Sequence, residues 1–86
     1  MKATLIKTDG TETIVTSEGK EFTLKELQGY VGGYIEIINL RSGKILVVNE
    51  EGLLKGLPQN LGASALTRGN PWIVGDVLWG KSNICK

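Results

Sequence analysis

Short β-branched runs separated by turn signals most constrain the fold of this chain. Residues 2–7 and 11–16 are rich in Thr, Ile, Val and Leu, and Asp9-Gly10 lies between them. Because both turn residues tolerate positive φ, the pattern predicts a hairpin of two strands. Residues 34–40 and 44–48 form a second such pair around Arg41-Ser42-Gly43. We expect this second pair to be the central strands of an antiparallel sheet.

A helix is predicted between the two hairpins. Thr23 and Glu26 have the spacing of a capping box, so the helix should begin at Leu24. Gly32-Gly33 should end it, because glycine adopts the left-handed conformation at little cost. The helix should pack on one face of the sheet through three aliphatic residues at helical spacing, Leu24, Leu27 and Val31.

The remaining segment, residues 49–70, is dominated by small and polar residues. Asn60 is placed to cap a short helix over residues 61–67, and Pro71 should block helix before a last strand over residues 72–79. The order is therefore ββαββαβ: an α+β fold with an antiparallel sheet of about five strands in a single domain of residues 1–86. We expect a homo-oligomer, because the core is small and the last strand resembles an edge strand that exposes two tryptophans.

The composition argues against an enzyme. Histidine is absent, which removes the usual general base and the commonest metal ligand. The single cysteine, Cys85, cannot form an intramolecular disulfide and suits a reducing compartment. Glu50 and Glu51 are adjacent and point apart, so they make a poor acid–base pair, and their segment lacks the ligand spacing of a calcium loop. We therefore expect a binding protein without cofactor or metal.

The charge balance and the hydropathy disfavour further classes of protein. Ten Lys and Arg against nine Asp and Glu give a net charge of +1, whereas duplex binders carry a strongly basic face and DNA mimics are strongly acidic. The apolar run at the N-terminus is too short for a signal peptide, and nowhere are there about 18 consecutive apolar residues. We expect a cytoplasmic protein with neither membrane nor nucleic acid as partner.

Candidate ligand-binding residues are concentrated between residues 49 and 72. A helix start with small side chains leaves backbone N–H groups open to phosphate, and an arginine fork suits the same anion. Carboxylates and amides can bond to ribose and base, and an aromatic ring can stack on a base. The candidates are Tyr34, Asn49, Glu50, Glu51, Lys55, Pro58, Asn60, Ser64, Arg68 and Trp72.

Each candidate has a structural alternative that the sequence leaves open. The turn at residues 49–51 is equally a solvated turn. For residues 60–64 the sequence favours an ordinary capped helix, whose small side chains allow close packing, over a phosphate site. Arg68 is equally an exposed residue without a partner. For most of the aromatic rings, Tyr34 and Trp72 among them, a place in a core or in a subunit interface is favoured over stacking on a base.

Five segments carry a resemblance to a known family. They read FTLxELQ from Phe22, VGGYIE from Val31, VVNEEG from Val47, LPxN from Leu57 and IVGDV from Ile73. With them, most of the chain resembles a family of small domains of unknown function found widely in bacteriophages and in the mobile elements of their hosts. The resemblance implies a phage context and no particular chemistry.

Small phage proteins without catalytic residues often oppose host defence. The resemblance therefore implies an anti-defence protein that sequesters a nucleotide-derived immune signal, such as a cyclic nucleotide or an ADP-ribose derivative, in the cytoplasm of the infected cell. The alternative is a protein-interaction module that inhibits a host defence enzyme. The first function needs a deep pocket lined by residues 49–70, and the second needs a flat or protruding apolar patch.

Overall fold

Five strands form one antiparallel sheet in the computed structural model, which describes residues 1–84. The strands are β1 (Lys2–Ile6), β2 (Glu12–Thr16), β3 (Ile35–Asn39), β4 (Lys44–Asn49) and β5 (Val77–Lys81). Helix α1 (Leu24–Val31) follows β2, helix α2 (Leu61–Leu66) follows β4, and a 3₁₀ turn spans Ser82–Ile84. The predicted α+β fold and its ββαββαβ order are confirmed. Cys85 lies outside the described residues.

Strand β5 lies in the middle of the sheet, whose order is β2-β1-β5-β4-β3. The expectation of an edge-like last strand is therefore wrong, and so is the expectation that β3 is central. Residues 72–76 form a loop instead of the start of this strand, because Gly75 has a φ of 78° and breaks the extended backbone. Val74 makes only an isolated bridge, with Gln59. An exposed last strand therefore no longer supports the homo-oligomer, which stays a prediction.

Each face of the sheet has its own apolar core. Helix α1 covers one face, where Leu27 and Val31 pack with residues of β4 and β5. Helix α2 and the loop before β5 cover part of the other face, where Ala63 and Ile73 pack on Leu46. The predicted contact through Leu24 is wrong, since this residue is 58% exposed. Leu24 is the first residue of α1. Because helical side chains lean toward the N-terminus, its side chain extends beyond the start of the helix and not onto the sheet.

The boundaries of α1 follow from the local signals in the sequence. The hydroxyl of Thr23 accepts from the backbone N–H of Glu26 at 3.1 Å, and the Glu26 carboxylate accepts from the N–H of Thr23 at 2.9 Å. At the other end, Gly32 has a φ of 84° and donates its N–H to the carbonyl of Gln28. The capping box and the glycine stop are therefore both present. Within residues 1–84 no helix is long and apolar enough to cross a membrane.

Candidate ligand-binding site

Asn60, one of the predicted site residues, is fully buried and uses its side chain within the protein. Its amide nitrogen donates to the carbonyls of Ile6 and Gly75, both at 2.9 Å, and its amide oxygen accepts from the N–H of Ala63 at 3.0 Å. The side chain thus caps α2 and ties it to β1 and to the loop before β5. Both amide protons are used, so the side chain has no donor left for a ligand.

Ser64 and Asn49 are also buried, and they too make internal hydrogen bonds. The Ser64 hydroxyl accepts from the N–H of Ile73 at 2.8 Å and donates to the carbonyl of the same residue at 3.3 Å. Asn49 donates to the carbonyl of Val31 at 3.1 Å and accepts from the N–H of Glu51 at 2.8 Å. These bonds hold the 49–75 segment against the sheet. They give no support to a phosphate site at the start of α2, a helix of only six residues.

Several other predicted residues surround a small apolar cavity on the side of β4. Asn49, Glu50 and Trp72 line this cavity of about 380 Å³ together with Leu53 and Leu54. Trp72 is 59% exposed, and the two leucines are 78% and 87% exposed. Tyr34, Glu51, Lys55 and Pro58 do not line it.

A second groove brings Arg68 together with Arg41, which the sequence reasoning missed. It has a volume of about 740 Å³ and lies between the β3–β4 hairpin and the end of α2. These are the only arginines of the chain. Four further polar side chains line the groove: Asn39, Ser42, Thr67 and Asn70. Among the residues that the structure describes, none that lines it is acidic. We call it the arginine groove.

Arg68 has an unusual backbone conformation for an arginine. Helix α2 ends at a cap, Thr67, and the next residue, Arg68, has a φ of 57°. The N–H of Arg68 donates to the carbonyl of Ala65, and the N–H of Gly69 donates to the carbonyl of Ser64 at 2.8 Å. This is the bonding pattern of a Schellman motif, in which glycine normally occupies the position that Arg68 holds here.

The family described as Domain of unknown function (DUF3846) matches residues 1–83. The chain belongs to this family. A search of the curated proteins and a search of the solved structures each found no match.

In this DUF3846 domain the arginine groove offers charge and hydrogen bonds. Two guanidinium groups present planar forks of donors, which match the oxygens of a phosphate. Asparagine amides and the two hydroxyls can both donate and accept, so they suit a sugar or a base. The arrangement can hold an anion in place. A sequence signal for Arg41 was present, since both arginines of the DUF3846 domain stand in turns beside glycine or serine.

Proposed function

We propose that this chain is a non-catalytic binding protein that holds a phosphate-bearing, nucleotide-type ligand in the arginine groove. One observation carries the proposal: Arg68 keeps a left-handed backbone conformation and lines the same groove as Arg41. The left-handed conformation costs a non-glycine residue about 1 kcal/mol. Because glycine would avoid this cost, the guanidinium at this position is favoured by something other than the stability of the turn.

The size and lining of the arginine groove support a nucleotide-sized ligand. Its volume of about 740 Å³ lies within the range of small-molecule sites. The guanidinium groups of Arg41 and Arg68 would bind phosphate, while Asn39 and Asn70 would orient the sugar or the base. In this proposal the ligand lies beside the end of α2, where Leu66, Thr67 and Arg68 line the groove, and not at the start of this helix.

The biological role that we propose is sequestration of a nucleotide-derived immune signal by a phage protein. The resemblance of the sequence to phage and mobile-element domains supports the context, and the groove supports the ligand class. The lining of this groove consists of cationic, amide, hydroxyl and apolar side chains. Such a lining is suited to retaining a ligand intact.

Calorimetric titration tests this function. The probes are AMP, ADP-ribose, cyclic ADP-ribose and cyclic di-AMP, and the variants are Arg41→Gln and Arg68→Gln. Loss of one charged partner should weaken the affinity of the bound probe about 30-fold or more. Lys25→Gln removes one positive charge from the exposed side of α1 and should bind as wild type does. Absence of heat with every probe, or wild-type affinity in both arginine variants, would refute the function.

The alternative function is inhibition of another protein by direct contact, and one surface favours it. Leu53, Leu54 and Trp72 are more than half exposed around the smaller cavity, and exposed apolar patches of this kind often mark protein contacts. Glu36 and Glu50 line the same cavity. A complementary partner would therefore present an apolar segment that carries Lys or Arg. Leu54→Ser should leave nucleotide binding unchanged, since Leu54 does not line the arginine groove.

A further inference from the structure

Three lysines form a row across neighbouring strands near the arginine groove. Lys44 of β4 pairs with Lys81 of β5. In the next pair of strands the ladder ends at Thr4, which lies opposite Trp79. Lys2 is two residues before Thr4 and Lys81 is two residues after Trp79, so both belong to the same face of the sheet. Directly paired residues of antiparallel strands point to the same face. The three ammonium groups therefore share the face on which Trp79 lies, two residues before Lys81.

This lysine row, Lys2, Lys81 and Lys44, is unfavourable in the protein alone. Like charges directly opposite each other destabilise a sheet. The row borders a cavity of about 500 Å³, and among the described residues none that lines this cavity is acidic. Among the described lining residues no carboxylate compensates the repulsion between Lys44 and Lys81, whereas a bound anion would.

Trp79 joins the two cavities. Its side chain lines both the arginine groove and the cavity at the lysine row. The ammonium nitrogen of Lys44 lies 4.2 Å from the centre of its ring, as in a cation–π contact. Among residues 1–84 its indole N–H has no hydrogen-bond partner, although it is buried. A buried donor without an acceptor is energetically costly. A ligand that offered an acceptor at the boundary between the cavities would remove this cost.

The two cavities together concentrate the positive charge of the chain. They are lined by five of its ten Lys and Arg residues and, over the described part of the chain, by none of its nine Asp and Glu residues. The net charge of +1 conceals this segregation. A ligand of complementary charge would have anionic groups on both sides of Trp79.

We propose that the lysine row is a second phosphate subsite for the ligand of the arginine groove, and that this ligand is a dinucleotide-sized molecule with two phosphate groups. The inference rests on the proposed function, because the arginine groove supplies the first subsite. A free dinucleotide carries the required groups. Two subsites on one sheet add their contributions, since the second contact forms within the complex.

The test compares AMP with 5′-phosphorylated diadenylate in calorimetric titrations. Wild-type protein should bind the dinucleotide at least about tenfold more tightly than AMP. The double variant Lys44→Gln/Lys81→Gln should lose this gain and keep the wild-type affinity for AMP. Lys20→Gln/Lys25→Gln removes the same charge from exposed positions outside both cavities and should keep the gain. Arg68→Gln should weaken the binding of both probes.

The outcomes separate the two proposals. Equal affinity of wild type for both probes, or an equal loss for both in the lysine double variant, overturns the second subsite while the function stands on the arginine dependence. Absence of binding by both probes overturns the second subsite, and absence of heat with ADP-ribose, cyclic ADP-ribose and cyclic di-AMP as well overturns the function itself. A single strand of about twelve adenylates that binds more than tenfold more tightly than the dinucleotide, with a salt slope above about two, overturns the dinucleotide-sized ligand in favour of nucleic acid.

A measurement without ligand tests the cost of the lysine row. Lys81→Gln removes the charge that faces Lys44 and leaves the contact of Lys44 with Trp79 in place, so its melting temperature should equal that of wild type or be higher. A lower melting temperature than that of Lys20→Gln would show that Lys81 stabilises the sheet, and it would remove the reason for assigning the row to a ligand.

Discussion

Replacing Asn60 by alanine should remove much of the unfolding free energy of this chain, because its side chain makes hydrogen bonds to three backbone groups. Loss of its oxygen removes the cap of α2, at a cost of about 1 kcal/mol. Loss of its nitrogen leaves the carbonyls of Ile6 and Gly75 without this donor in a fully buried site, at a cost of about 1 to 3 kcal/mol each. These costs add up to roughly 3 to 7 kcal/mol. Small domains have only about 5 to 15 kcal/mol in total.

Urea denaturation followed by tryptophan fluorescence measures this loss. Asn60→Asp is the second variant: it keeps an oxygen for the cap but places a second oxygen against two carbonyls, so it should be at least as destabilising. Asn83→Ala, an exposed asparagine in the 3₁₀ turn, is the matched control and should change the unfolding free energy by less than about 0.5 kcal/mol. The reasoning fails if Asn60→Ala loses less than about 1 kcal/mol, or if it stays fully stable and loses only ligand binding.

Two further predictions concern α1. Leu27→Ala should lower the unfolding free energy by about 2 to 5 kcal/mol because its side chain is buried against the sheet, while the exposed Leu24→Ala changes it far less; equal effects would refute this packing. Hydrogen bonds from the backbone of Thr23 and Glu18 lower the pKa of Glu26 below its ordinary value of 4.5. Ionised Glu26 therefore stabilises the fold above about pH 4.5, and this contribution is lost as the pH falls through the lowered pKa. Urea midpoints of Glu26→Gln should fall less steeply on acidification than those of wild type or of Glu12→Gln, and parallel curves would contradict it.

Elements with local signals could be predicted from the sequence, whereas the place of β5 could not. The capping box of α1 and the hairpin glycines, Gly10 at φ 92° and Gly43 at φ 80°, act within a few residues of themselves. Strand pairing depends on residues that are distant in the sequence. Strand β5 lies between β1 and β4, and no local sequence pattern identifies these two strands as its neighbours. One signal was available in the sequence, since Val77 and Leu78 are adjacent and apolar. In the structure both are fully buried. Two such neighbours face opposite sides of a sheet, which indicates a strand covered on both faces.

The candidate site was predictable only in part for the same reason. The polar character of Asn60 and Ser64 is visible in the sequence, but the partners that use their polar groups are not. The Ile6 carbonyl that accepts from Asn60 is 54 residues away. Arg68 was a candidate because it stands between small polar residues. Its neighbour in the groove, Arg41, lies in a hairpin that the sequence explains as a turn, so only the folded chain brings the two together.

The location of both cavities follows from how the second face of the sheet is covered. Helix α1 spans eight residues on its face, whereas α2 spans six and packs through Ala63 and Leu66. Trp79 packs against the apolar cluster under α2, whereas Lys44 and Lys81 lie further along the sheet and line a cavity. A longer α2 would add apolar burial and stability at that end, but it would also bury the ammonium groups of Lys44 and Lys81, which is costly without partners. The short helix and the uncovered cations are therefore mutually consistent, and both suit a face that is completed by a bound anion.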